Sequence, residues 1–179
     1  MSRMVDLSKV NKVFFIGIGG IGISAAARIL QQMGKDVSGS DMTASEITSQ
    51  LQLEGINVFI PQKAANIPVD ADLVVYTVAV NLDNPEKKQA DKLGILQITY
   101  PQLLGLLMKD REGIGVSGTD GKTTTTAMLG KIFMDADLDP TIVVGSKVDY
   151  LGGNSKVGES KYFIFESDEY KKAFHNYYP

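Results

Sequence analysis

The chain has 179 residues, 44% hydrophobic and 22% charged, with a formal net charge of -3 and no cysteine. That composition supports a packed core in one ordinary domain or two small ones. It excludes disulfides and cysteine-ligated metals, fits a reducing cytoplasm, and argues against a general nucleic-acid surface. No apolar stretch is long enough to cross a membrane, the N-terminus has no signal-peptide pattern, and there is no repeat or low-complexity segment.

Residues 12–34, KVFFIGIGGIGISAAARILQQMG, open with a strand. They turn through glycines and continue as a helix with Ile23, Ala26, Ala27 and Leu30 at helical spacing. Gly34 is the expected stop. KDVSGSD (35–41) reads as a second strand ending at Asp41, and SEITSQLQLEG (45–55) as a helix with a weak capping box from Ser45 and Thr48. NVFI (57–60) is a short strand, and DLVVYTVAV (72–80) a longer, buried one of the parallel-sheet type. NPEKKQADKLG (84–94) reads as a polar-faced helix, ILQIT (95–99) as a strand, and YPQLLGLLMKDREG (100–113) as a helix running into a turn. This alternation predicts an α/β fold with right-handed crossovers.

The pattern then restarts, which places a domain boundary near residue 110 and divides the chain into 1–110 and 111–179. IGVS (114–117) is a strand, KTTTTAMLGKIFMDA (122–136) a helix and TIVVG (141–145) a strand. A glycine-rich polar stretch covers 145–160, and KYFIFE (161–166) is a final strand. Residues 111–179 are too few for a complete nucleotide-binding domain of the usual size, so the second domain is expected to be partial.

Two glycine loops point to phosphate. Gly17, Gly19 and Gly22 match Gly-x-Gly-x-x-Gly between a strand and a helix, and Asp41 lies 24 residues after Gly17, where an acid can accept from a ribose hydroxyl. The alternative is a tight turn with no ligand. The second loop lies within GVSGTDGKTTTT (115–126). The common phosphate-loop spacing would need glycine at position 116, which is Val116. The glycines present give the compact form Gly-x-x-Gly-Lys-Thr over 118–123. Lys122 can reach terminal phosphates, Thr123 can ligate magnesium, and the backbone amides of 119–123 can cradle phosphate oxygens. Glu166, Asp168 and Glu169 are the carboxylates available to a metal, with a solvated acidic turn as the alternative. The single histidine, His175, reads as a surface or packing residue.

FFIGIGGIGISAAARIL, VSGSD and GTDGKTTTTAMLGKIF, in that order, resemble the Mur ligases of peptidoglycan synthesis. DLDPTIVVG and ESDEYKKAFHNYYP extend the resemblance to the whole chain. It implies a Rossmann-like parallel-sheet domain that binds a UDP-sugar rather than NAD, followed by part of a phosphate-loop α/β ATPase domain. Gly19, Gly20, Ile21 and Gly22 would meet the pyrophosphate, Asp41 would lie near the uridine, and Thr77 along the same ligand. Gly118, Thr119, Asp120, Gly121, Lys122, Thr123 and Thr124 would hold ATP. Thr123 and Glu166 would hold Mg2+, and Lys122, Thr123 and Glu166 would form the catalytic set. The alanine-adding branch is the most similar, implying UDP-N-acetylmuramate and L-alanine as substrates in the cytoplasm, with no nucleic acid and no membrane insertion. Asp120 departs from the histidine usual in that branch and the asparagine of other members. A full Mur ligase has three domains, so this chain is expected to lack ligase activity alone and to leave an open sheet edge after residue 111. A UDP-sugar-binding module without catalysis, a peptide-recycling Mur ligase and an NAD-linked oxidoreductase are the competing readings. The last gives the Gly-Lys-Thr loop no role.

Overall fold

The computed structural model describes residues 5–167. The chain divides into two compact units, residues 1–103 and 104–179. Asp168, Glu169 and His175 lie outside the described residues.

The first unit is a five-stranded sheet in the order β3-β2-β1-β4-β5. Its strands are β1 (Lys12–Ile16), β2 (Asp36–Ser40), β3 (Asn57–Phe59), β4 (Leu73–Tyr76) and β5 (Leu96–Thr99). Every pairing is parallel. β1 is central, with Val13, Phe14, Phe15 and Ile16 all fully buried. Residues alternate in facing, so Phe14 and Ile16 share one side of the strand. They cluster there with Ile67, Val74 and Ala90. Helix α1 (Ile21–Gln32) buries Ala25, Ala26 and Ala27 besides Ile23, Ile29 and Leu30, a broader face than helical spacing alone predicted. Helix α2 (Glu46–Leu53) starts with a complete capping box between Ser45 and Thr48.

The structure corrects two expectations. The strand expected over 72–80 ends at Tyr76. Its ladder with β5 ends at the Tyr76–Thr99 pair, and the Thr77 carbonyl then accepts the Val80 N–H at 3.0 Å to close a turn. Helix α3 (Pro85–Leu93) is polar in composition, yet it buries Glu86 completely and Lys87 almost so. Asn84 caps it by accepting the Glu86 and Lys87 amides.

Helix α4 (Tyr100–Met108) runs into a turn as expected, where the Arg111 N–H donates to the Met108 carbonyl at 2.9 Å. Asp110 adopts a left-handed φ of 66°, which L-residues enter at a cost, and β6 (Glu112–Val116) begins two residues later. Helix α5 (Lys122–Asp135), β7 (Thr141–Val148), β8 (Gly153–Lys156) and β9 (Tyr162–Glu166) complete the second unit. Its sheet order is β6-β9-β7-β8. β9 pairs in parallel with both β6 and β7, while β7 and β8 form an antiparallel hairpin with a register shift between Val143 and Val148. That hairpin occupies much of the glycine-rich polar stretch read over 145–160. Its second strand, Gly-Asn-Ser-Lys, has no apolar alternation to betray it.

Asp72 fastens the start of β1. Its carboxylate accepts the Asn11 and Lys12 amides at 2.8 and 2.9 Å. These bonds, Lys12 first, hold its pKa below the ordinary 3.8. A depressed folded pKa stabilises the protein above the unfolded value and loses that contribution as pH falls through the folded one. Asp72→Asn should therefore lower Tm at pH 7, and the difference from wild type should shrink below pH 3.8. A pH series of thermal melts checks this. A constant difference would contradict it.

Candidate functional site

In the first unit, the crossover between β2 and β4 on either side of β1 creates a switch point, where ligands of open parallel sheets bind beyond the strand ends. The glycine loop after β1 occupies that point. Helix α1 is capped by Gly20 and has no side-chain hydrogen bond at its N-cap, so its first amides are not taken by a capping side chain. Asp41 follows the last residue of β2. Its Oδ2 accepts the Gly19 N–H at 2.8 Å, and its Oδ1 accepts the Met42 N–H at 2.7 Å. A Cβ at Gly19 would lie 2.8 Å from Asp41 Oδ2 and 3.0 Å from Thr48 Cγ2.

Thr77 Cγ2 would lie 3.3 Å from a Cβ at Gly17, and Ile21 is partly exposed at the start of α1. Gly19, Gly20, Ile21, Gly22, Asp41 and Thr77 thus gather at the strand ends. Gly22 also keeps a packing contact open, since a Cβ there would meet the Tyr100 hydroxyl at 2.9 Å. Sequence reasoning missed Tyr100. Its signal was its place directly after β5, at the same strand ends as the loop.

Sequence reasoning also missed Glu86. Its Oε2 accepts the Ser40 hydroxyl at 2.5 Å, and its Oε1 accepts Asn66 Nδ2 at 2.8 Å and the Lys63 N–H at 3.1 Å. Burial pushes its pKa up, against the pull of those hydrogen bonds.

In the second unit, β6 runs into the exposed loop 117–121 and α5 begins at Lys122. Gly121 is the N-cap, in the left-handed region at φ 74°, where a side chain would be strained. It makes no side-chain cap, and the Thr125 N–H reaches its carbonyl at 2.9 Å. Lys122 Nζ folds back to donate to the Gly118 carbonyl at 2.6 Å. Thr123 is half-buried, while Thr119, Asp120 and Thr124 are exposed.

Glu166 pairs with Val116, so it stands beside the strand residue that leads into the loop. The Ser167 N–H closes on the Val116 carbonyl at 2.9 Å. Beyond the three β7–β9 pairs, the Gly145 N–H donates to Glu166 Oε1 at 2.5 Å. Among the described residues, no cluster of three or more histidines or carboxylates could hold a metal alone. Thr123, in the first turn of α5, offers one hydroxyl, and Glu166, at the end of β9, one carboxylate. That fits Mg2+, which keeps several waters and takes one or two protein oxygens plus substrate phosphates. A groove of about 580 Å3 opens next to Thr123 and Thr124, between α5 and the end of β7, with Met128, Ile132 and Tyr150 on its walls.

The family model described as the Mur ligase family, catalytic domain, matches residues 12–112, more than half of the chain. The chain belongs to the Mur ligase family. Over 175 residues it is 49% identical to the UDP-N-acetylmuramate–L-alanine ligase of Clostridium kluyveri, covering 97% of this chain and 38% of that protein. The enzyme of the same name from Acetivibrio thermocellus is 47% identical over 177 residues, covering 98% and 38%. The crystal structure of UDP-N-acetylmuramate-alanine ligase from Thermotoga maritima superposes with a TM-score of 0.89 at 37% identity, covering 94% of this chain and 39% of that one. A ligase from Neisseria meningitides that joins L-alanyl-gamma-D-glutamyl-meso-diaminopimelate to UDP-N-acetylmuramate gives 0.83 at 29% identity, covering 91% and 54%. The chain therefore spans about two fifths of the length of the curated relatives it matches. The family match ends at Glu112, before the second loop, whereas the matches to the two curated relatives cover nearly the whole chain.

Gly145 is a further residue that sequence reasoning passed over. A Cβ there would lie 2.6 Å from Glu166 Oε2 and 3.0 Å from its Cδ. Gly145→Ala should force the carboxylate off the strand and destabilise the second unit by about 1–3 kcal/mol. Urea unfolding checks this. An unchanged midpoint would contradict it.

Proposed function

We propose that this chain is the part of a UDP-N-acetylmuramate–L-alanine ligase that holds the UDP-sugar and the ATP phosphates. The observation that carries the reading is the pairing, in one chain, of two phosphate-type loops with different geometry. One sits at the switch point of an all-parallel sheet, and the other opens α5 beside Glu166. An NAD enzyme needs only the first. The alanine-adding branch is favoured by the names of the curated relatives at 49% and 47% identity and, among the solved structures, by 37% identity to the alanine ligase against 29% to the peptide-joining ligase.

On this reading, Gly19, Gly20, Ile21 and Gly22 bind the UDP pyrophosphate, whose negative charge suits the start of α1. Asp41 and Thr77 line the same ligand. An anionic oxygen arriving at Gly19 N–H meets Asp41 already there, so the carboxylate swings toward the ribose hydroxyls as the ligand seats. In the second unit, the amides of Gly118, Thr119, Asp120, Gly121, Lys122, Thr123 and Thr124 surround the ATP phosphates. Lys122 leaves the Gly118 carbonyl for the phosphates, where its charge counts most as negative charge shifts during transfer. Thr123 and Glu166 would hold Mg2+, which offsets charge on the transferring group.

ATP supplies the γ-phosphoryl group that converts the muramate carboxylate to an acyl phosphate, and the amine of L-alanine then displaces phosphate to form the amide. The chain's own residues bind, orient and neutralise. The reaction takes place in the cytoplasm, on small molecules.

Calorimetry with UDP-N-acetylmuramate, with NAD in a parallel titration, tests the first loop. Heat is expected from the sugar nucleotide alone. NAD binding without sugar-nucleotide binding would overturn the reading. For the second loop, Lys122→Ala should weaken ATP binding roughly tenfold or more and leave UDP-sugar affinity unchanged. Asp120→Asn should tighten ATP binding severalfold, because it removes a negative charge beside the phosphates. Equal ATP affinity in wild type and both variants would place ATP elsewhere.

A further inference from the structure

Glu86 is a fully buried carboxylate that the proposed chemistry does not use. Among the described residues its three hydrogen-bond partners are uncharged donors: the Ser40 hydroxyl, the Lys63 backbone amide and the Asn66 side-chain amide. Folding around a buried charge with no cation is unfavourable, and a neutral side chain would fill the space at less cost. What the carboxylate provides is a tie between the start of α3, the 63–66 segment and the end of β2.

The end of β2 in turn holds the glycine loop. The Ser40 carbonyl accepts both the Gly17 N–H at 2.8 Å and the Ile18 N–H at 2.9 Å. The next residue, Asp41, accepts the Gly19 N–H at 2.8 Å. Three consecutive loop amides are therefore set by two consecutive residues. Glu86 fastens the first of them by its hydroxyl, and the Phe59 carbonyl fastens the second by its N–H at 3.1 Å.

We propose that Glu86 is a positioning residue for the sugar-nucleotide site, acting through Ser40 to fix the amides of Gly17, Ile18 and Gly19. This rests on the reading of the loop as the UDP-sugar site. Glu86 touches no ligand. It sets the register between the end of β2 and the loop, and a shift of that register would misplace the Gly19 amide and the start of α1 together.

The test uses Glu86→Ala, Glu86→Gln and Ser40→Ala in the whole chain. Two quantities are read: the backbone amide NMR shifts of residues 17–19 without ligand, and the calorimetric affinity for UDP-N-acetylmuramate. Glu86→Ala is expected to move those amide resonances and weaken binding roughly tenfold or more. Glu86→Gln keeps an acceptor for Lys63 and Asn66 and can donate to the Ser40 oxygen, so it should recover binding to within about threefold of wild type. Ser40→Ala cuts only the link to β2 and should reproduce the Glu86→Ala loss. Folded variants with unmoved amides and wild-type affinity would overturn the proposal, as would Glu86→Gln behaving like Glu86→Ala. If Glu86→Ala fails to fold, Ser40→Ala decides: unmoved amides there overturn it. If the wild-type chain binds no sugar nucleotide, the reading of the site fails, while the ligand-free amide shifts still show whether Glu86 positions the loop.

Discussion

Helix starts leave backbone amides without partners, and this chain treats its helices unequally. Ser45 caps α2 and Asn84 caps α3, each by accepting first-turn amides. Helices α1 and α5 instead have Gly20 and Gly121 at the N-cap, with no side chain in the capping position. An N-cap side chain stabilises a helix by about 1 kcal/mol over alanine and by only a few tenths over glycine. At these two helices, which follow glycine loops, no capping side chain competes with an anion for the start of the helix. The remainder of each unit can be understood as the scaffold that aims one such helix.

The aiming is done by parallel strands. In a parallel sheet, neighbouring strands end on one side, so a residue at the end of one strand stands next to the loop leaving another. Asp41 follows β2 and reaches the loop after β1, while Glu166 ends β9 beside the loop after β6. Each carboxylate accepts an amide from a glycine whose added Cβ would collide with it, Gly19 in one case and Gly145 in the other. The same small motif, a strand-end carboxylate held on a glycine amide, thus recurs in both units. Acid and lysine alike are held by backbone groups: Asp41 by Gly19, Glu166 by Gly145, and Lys122 by Gly118.

Much of this was legible in the sequence because it rests on local signals. Glycine spacing, the Gly-Lys-Thr run and the apolar strands located both loops, and Asp41 and Glu166 followed from strand order. What escaped reading depends on distant partners. β8 is polar and becomes a strand only by pairing with β7. β4 stops at Tyr76 because β5 stops pairing there, although the apolar run continues. Glu86 sits in a helix of charged composition, and nothing local marks it as buried. Its burial follows from Ser40 and Asn66, which lie 46 and 20 residues away. Tyr100 and Gly145 matter through single close contacts, with Gly22 and Glu166, that no periodicity records.

On the proposed reading, the two loops serve two different nucleotides. Backbone amide chemical-shift mapping of the chain, first with UDP-N-acetylmuramate and then with MgATP, separates them. The sugar nucleotide should perturb residues 17–22, Asp41 and Thr77, and MgATP should perturb 118–124, Gly145 and Glu166. One nucleotide perturbing both sets, or the two sets exchanged, would contradict that assignment.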